Sequence, residues 1–317
     1  LIDPGSRSDM AVVMTKVRAV IGGMERITGM WVNHQDPDVC SAIGLITAKY
    51  APRASIICSE ATWRLIHHHG VPRERYFGTD KRTSGFRLPT GQVIVPVPSP
   101  FCHFRGAVMM YDPETRVLFS GDLFGGLTDI NATGLFADDT DWRGMRAFHQ
   151  LYMPSNKAIR LAIQAIKALD PAVETIAPQH GRVITRDLIP WYIEKLERLP
   201  VGLDILGEEE SDPQALARWN HVLARVLDAA KNFMGDGAIA RLQSNKDLED
   251  LLRIKGGNVE ITSLPRWALS LSLESLIEGE DPLVASTLQQ EALIAVEEMG
   301  LPPPDLRLDG ETVVSGD

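Results

Sequence analysis

An α/β domain followed by a mostly helical appendage is the architecture this 317-residue sequence predicts, on three observations. Over the first two-thirds, short apolar runs alternate with stretches of helical spacing, the pattern of strands and helices packed in layers. Beyond about Pro200 the spacing is helical almost throughout. Four clusters of histidine and aspartate each follow one of the strand-like runs, and α/β proteins build their sites on loops at the C-terminal ends of strands.

The elements follow in chain order. Leu1-Ile2-Asp3-Pro4-Gly5 reads as a strand end entering a turn, which leaves room for earlier strands or a cleaved targeting segment ahead of it. Gly29-Met30-Trp31-Val32 is a strand leading into the first cluster, and Pro37 opens a helix that runs through Lys49 and is stopped by Pro52. A short buried strand is predicted over Ser55 to Cys58, and a helix over Glu60 to His69 ending at Gly70. Val93 to Val97 is a strand. Ala107–Tyr111 and Arg116–Ser120 form a hairpin around Asp112-Pro113-Glu114. A long helix over Trp142 to Leu169, with a break at Pro154, precedes a strand over Val173 to Ala177.

These elements make a first domain over residues 1–200 and an appendage over 201–317. The acidic stretch from Gly207 to Pro213 reads as a solvated linker. Helices are predicted over Ala215–Phe233, Trp267–Ile277 and Pro282–Met299, with a small hairpin turning at Gly256-Gly257.

Composition narrows the function classes. The apolar share of 44% is that of a chain with a real core. A formal charge of −10 and a pI near 5.3 argue against nucleic acid or an anionic membrane as partner. No apolar run is long enough to cross a bilayer and no signal peptide is present. Cys40, Cys58 and Cys102 include no Cys-x-x-Cys pair, so a disulfide scaffold is not expected and a reducing cytoplasm is. Cys40 and Cys102 read as small buried hydrophobes.

The candidate site is a set of metal-competent side chains: His34, Asp36 and Asp38 in Asn33-His34-Gln35-Asp36-Pro37-Asp38, then His103, Asp122 and His180. His34 and Asp36 are one residue apart, so an extended loop points both the same way. Two ions roughly 3.5–4 Å apart need a carboxylate between them. Asp122 suits that bridging role because a carboxylate offers two oxygens and a neutral imidazole one nitrogen. Imidazole and carboxylate donors without thiolate favour iron or manganese over structural zinc. Other histidines read differently. His67, His68 and His69 close a helix, where its dipole favours them. His149 reaches the site only if the fold carries its helix there, and His221 lies in the appendage.

These motifs, together with Phe101-Cys102-His103-Phe104-Arg105-Gly106, Leu118-Phe119-Ser120-Gly121-Asp122 and Ala177-Pro178-Gln179-His180-Gly181, resemble the metallo-β-lactamase fold in its diiron branch, that of flavodiiron and oxygen-binding diiron proteins. The hydrolase branch carries His-x-His-x-Asp-His, and the diiron branch puts an acid at the second histidine, where Asp36 stands. The resemblance implies an αββα sandwich. It also implies two non-haem irons, one held by His34, Asp36, His103 and Asp122, the other by Asp38, Asp122 and His180. Two positions depart from the family. Asp36 stands where Glu is usual, and Val39 where a histidine is usual. The second iron is thereby left with an open position, a water, or weaker binding.

No flavodoxin-like domain or phosphate loop follows Pro200, so no flavin is expected in this chain. The resemblance therefore implies a protein that binds O2 or a related diatomic or peroxide, as a sensor or carrier. One alternative is a reductase of O2, NO or peroxide fed by a separate redox partner. Another is a binuclear metal-dependent hydrolase. A signalling or redox protein partner and a homodimer belong to the same expectation.

Overall fold

The computed structural model describes residues 1–129, 132–205, 213–304 and 306; the stretch from Gly207 to Asp212, read above as a linker, lies outside them. In chain order the elements begin with α1 (Met10–Ile21), β1 (Gly29–Trp31), α2 (Pro37–Cys40) and α3 (Ile43–Lys49). They continue with β2 (Ser55–Cys58), α4 (Glu60–Ile66), β3 (Tyr76–Gly78), β4 (Phe86–Arg87), β5 (Val93–Pro98), β6 (Val108–Asp112) and β7 (Val117–Gly121). Next come α5 (Trp142–Tyr152), α6 (Asn156–Lys167), β8 (Thr175–Pro178), β9 (Ile184–Thr185) and α7 (Ile189–Arg198). The last are α8 (Pro213–Met234), α9 (Gly237–Ser244), β10 (Leu252–Lys255), β11 (Asn258–Ile261), α10 (Pro265–Ile277) and α11 (Pro282–Glu298).

The chain divides into two compact units. The first holds residues 1–125, 135–139 and 153–199; the second holds 126–134, 140–152 and 200–317. In the first, a parallel three-stranded sheet of order β1-β2-β3 faces a six-stranded sheet of order β4-β5-β6-β7-β8-β9. The period-2 alternation of a strand decides what lies where. From the small sheet, Met30, Ile56 and Cys58 point away to a core shared with Ile43, Ile46, Trp63 and Ile66 of the helices. Trp31 and Ile57 point the other way, onto Ile94, Val108, Met110 and Phe119 of the large sheet. Each such buried side chain contributes about 1.5–3 kcal/mol relative to exposure. Helix α6 covers the large sheet at β5 and packs with α7. The result is the αββα sandwich.

One helix read as continuous is divided, and the break expected at Pro154 is present. The Pro37–Lys49 stretch breaks at Ser41 and Ala42, and the stretch after Trp142 breaks over Met153–Ser155. Pro154 explains the second break, because its ring removes a backbone donor and disfavours helix in the residue before it. Ser59 caps α4 by accepting from the Thr62 amide at 3.1 Å, and Gly70 ends that stretch in the left-handed region. Helix α1 was not anticipated. Of its side chains only Met10 is buried; Met14 and Val17 pack partly buried against the same core, and the exposed Val12 and Val20 blur that stripe in the sequence.

In the second unit, α5, α8, α9, α10 and α11 and the β10–β11 hairpin share one core around Trp219, Leu223, Leu273 and Leu293. The hairpin turns at Gly256 and Gly257, both with positive φ, as a tight two-residue turn requires. No helix among the described residues is long and apolar enough to cross a membrane.

Candidate metal centre

Every candidate side chain follows a strand of the sandwich. His34 lies just beyond β1, His103 beyond β5, Asp122 beyond β7 and His180 beyond β8. Strands β7 and β8 pair in parallel, with a register shift that sets Gly121 opposite Pro178. Asp122 and His180 therefore leave the same end of neighbouring strands. The loop carrying His103 is tied to α4, where Ser59 and Thr62 donate to the Gly106 carbonyl at 2.6 and 3.2 Å.

The six residues converge around Asp122. Its Oδ2 lies 3.3 Å from His34 Nε2 and 3.2 Å from His103 Nε2, while its Oδ1 lies 3.8 Å from His180 Nε2. Asp36 Oδ2 is 2.9 Å from His103 Nε2 and 3.7 Å from His34 Nε2. Asp38 Oδ2 is 3.1 Å from His180 Nε2. Among the described residues, His34, Asp36 and His103 each offer a donor atom within 4.8 Å of the others. Side-chain exposure is 0% at His34, 4% at Asp122, 19% at His103 and 30% at Asp36, against 25% at His180 and 47% at Asp38, so the half around His34 is the more buried one.

Local sequence explains the geometry. Asp36 sits at the N-cap of α2 with extended backbone, yet its carboxylate makes no capping bond. It faces the histidines instead, and a missing cap costs α2 about 1 kcal/mol. His34 Nδ1 donates to Asn33 Oδ1 at 3.0 Å, which leaves Nε2 as the nitrogen turned to the carboxylates. Asn33 is itself pinned by its side-chain donation to Val108 O at 3.0 Å, by the Val108 amide, and by Asp3 Oδ1 at 2.7 Å from its own amide. Trp31 also donates to Val108 O, so the site rests on the seam between the two sheets. Gly121, at φ +62, is needed there, because a Cβ would lie 2.2 Å from Asn33 Cγ.

Two buried atoms, His34 Nε2 and Asp122 Oδ1, have no hydrogen-bond partner. Leaving such atoms unmatched costs about 1–3 kcal/mol each, and a cation between them and the other carboxylates would satisfy both. Charge behaves accordingly. Burial pulls the His34 and His103 imidazoles toward the neutral form, but the Asp122 and Asp36 carboxylates beside them outweigh it and push them up to about 10 and about 9. Burial raises Asp36 and Asp122, and hydrogen bonds from His103 and His34 reverse this and hold both well below the usual carboxylate range. His180 is moved up against burial by Asp38 and Asp122. Burial lifts Asp3 to about 7, opposed in part by the Asn33 amide. The centre holds positive charge by design of its donors, and three imidazoles with three carboxylates fit iron or manganese.

The other readings fall as follows. His67 and His68 stand at an exposed helix end. His149 belongs to the second unit, where its Nδ1 bonds the Met145 carbonyl of its own helix at 2.8 Å. All three cysteines are free and buried. Asp138 pairs with Arg182 at 3.1 Å. Asp3, Asn33, Gln35 and Gln179 touch the centre but stood outside the sequence reading; Asn33 and Gln179 adjoin ligand candidates in sequence, and that adjacency was the available signal.

Comparison with known proteins places this arrangement. The model of the ODP family beta lactamase matches residues 1–181, more than half of the sequence. The chain belongs to that family. Similar solved structures include the "Apo state of chemotaxis sensor ODP from T. denticola", 30% identical with a TM-score of 0.58, covering 65% of this chain and 83% of that one. The "Peroxy diiron species of chemotaxis sensor ODP" is 29% identical with a TM-score of 0.57, covering 65% and 84%. The flavodiiron protein of Giardia intestinalis, 17% identical over 73% of this chain and 56% of that one at a TM-score of 0.56, shares the fold. Among curated proteins, the anaerobic nitric oxide reductase flavorubredoxin of Pectobacterium carotovorum is 26% identical over 49% of this chain. The chain spans about a third of the length of such relatives, 31% in that case. The metallo-β-lactamase-like fold of the diiron branch is thus shared on both grounds, sequence and structure.

Proposed function

We propose that this chain is a non-haem diiron protein that binds O2 as a sensor. The observation that carries the reading is the split of Asp122, whose Oδ2 faces His34 and His103 while its Oδ1 faces His180. Asp36, His34, His103 and Asp122 Oδ2 would hold one ion, and Asp38, His180 and Asp122 Oδ1 the other. Two ferrous ions, when bound, supply the pair of electrons and the coordination sites that a diatomic ligand such as O2 takes up. The protein's part is orientation and access. Asn33 presents the Nε2 face of His34, and burial of His34 and Asp122 keeps those two donors from water. Val39, buried in the helical core, stands at the place of the family's usual histidine and leaves the more exposed half one donor short.

Family membership and similarity to the ODP sensor structures support O2 as ligand. Unpaired, buried cysteines support a reducing cytoplasm. A signalling partner and a homodimer complete this reading. The test is anaerobic reduction of iron-loaded protein followed by stopped-flow mixing with O2. A visible absorption band without sustained O2 uptake is expected; absence of bound iron would sink the reading. A second reading, a reductase supplied by a separate redox partner, is favoured by the nitric oxide reductases among the relatives. Sustained O2 or NO consumption with NADH and a partner protein would promote it.

A further inference from the structure

Two carboxamides flank the centre, one on each half. Gln35 Nε2 lies 2.8 Å from Asp36 Oδ1, the oxygen that Asp36 does not turn to His103. Gln179 Nε2 lies 3.5 Å from Asp38 Oδ2, the oxygen that also faces His180. In both residues Oε1 is buried and has no hydrogen-bond partner. Reversing either amide would set two acceptors against each other, so the carboxylate fixes which end points inward. An amide kept beneath the surface with one end unsatisfied is held by what its other end does.

We propose that Gln35 and Gln179 are positioning residues, each using its side-chain N–H to fix the terminal carboxylate on one half of the diiron centre. The inference rests on the diiron reading. Asp36 is one methylene shorter than the glutamate usual there, and a short side chain has less reach with which to choose its geometry. Donation from Gln35 to Oδ1 leaves Oδ2 as the free oxygen and holds it toward His103. Gln179, anchored by its backbone amide to Gly121 O at 2.9 Å, acts differently on the exposed Asp38: it reaches Oδ2 itself and steadies the oxygen that faces His180. Partners of this kind change metal affinity by about 10- to 100-fold when removed.

The test compares the full chain with Gln35→Met and Gln179→Met, which keep length and lose the donor. Ferrous ion is titrated anaerobically against a chelator, Mössbauer spectra are recorded on the iron-loaded proteins, and the metal-free proteins are melted. Gln35→Met is expected to weaken one ion by about 10- to 100-fold and shift that ion's spectrum alone. Gln179→Met should do so for the other ion, with a smaller effect because its contact is longer. Melting of the metal-free variants should match the parent. Unchanged affinities and spectra in both variants would overturn the proposal. So would loss of both ions together with a lower melting temperature, the mark of a packing role. A parent chain that takes up no pair of irons would overturn the functional reading itself, and this inference with it.

Discussion

On one side of Asp122, His34 is sealed from solvent, its ring is fixed by Asn33, and Asn33 is fixed in turn by both sheets. On the other side, His180 and Asp38 stand partly in solvent, and Asp38 is held by His180 and one long contact from Gln179. The two halves share the Asp122 carboxylate but differ in what keeps them in shape. Packing across the sandwich preorganises the first half, whereas the second depends on side-chain contacts at the surface. The more buried half suits an ion that stays, and the more exposed half suits one that meets a small molecule.

The sharpest way to break this comparison is Asp122→Ala, which removes the one residue, among the described residues of the centre, that faces both halves. Elemental analysis and Mössbauer spectroscopy should find both irons lost, a fall from about two per chain to near none. Next come His103→Ala and His180→Ala. The first should empty the more buried half, and the second should spare it and reduce iron by roughly half. Equal losses from both would mean that the halves do not act separately.

A third test addresses packing. Gly121→Ala places a methyl against Asn33 at a positive φ, and destabilisation of about 2–4 kcal/mol is expected in chemical denaturation, with iron uptake at the more buried half impaired more than at the other.

pH separates the halves more gently. In metal-free protein, His34 and His103 are raised above the ordinary 6.5 to about 10 and about 9. Their pairs with Asp36 and Asp122 thus contribute stability that is complete below about pH 6.5 and is lost as pH rises through 9 and 10. The melting temperature of the metal-free protein should fall across that window, and that of iron-loaded protein should fall less, because the ions replace the protons. The smallest effect is that of Asp3→Asn. Burial keeps a proton on Asp3 to about pH 7, so the folded state loses stability as pH rises from 3.8 to 7 and bears the full penalty above. Asparagine keeps the acceptor for the Asn33 amide without the charge. Metal-free melting should rise by about 2–4 °C at pH 8 and not at pH 4.

Much of the fold could be read from the sequence because each candidate ligand ends an apolar run. Val117 to Gly121, for example, alternates and then delivers Asp122, and the structure pairs it as drawn with β6. Helix α1 was not read, since the exposed Val12 and Val20 blur the stripe of Met10, Met14 and Val17 that faces the core. Nor was the role of Asn33. Its meaning comes from Gly121 and Val108, which are distant in sequence and meet it only when the sheets close. Gln35 and Gln179 lay in plain view beside the ligand candidates, but a glutamine carries no signal until its amide is seen against a carboxylate.

The division of the chain has a consequence for anyone shortening it. Between Asp122 and His180 the backbone passes into the second unit at residues 126–134 and again at 140–152. Helix α5 packs Ala147, with Leu127 and Leu151 beside it, into the same core as Trp219 and Leu293. A truncation after Leu199 would not release a finished sandwich. It would leave α5 covalently held yet stripped of the helices that cover its apolar side, an exposed hydrophobic stretch inserted between two residues of the metal centre. Such a fragment should aggregate, and a failed iron titration on it would say nothing about the centre. The appendage is stitched into the domain by the chain itself, and the protein is best handled whole.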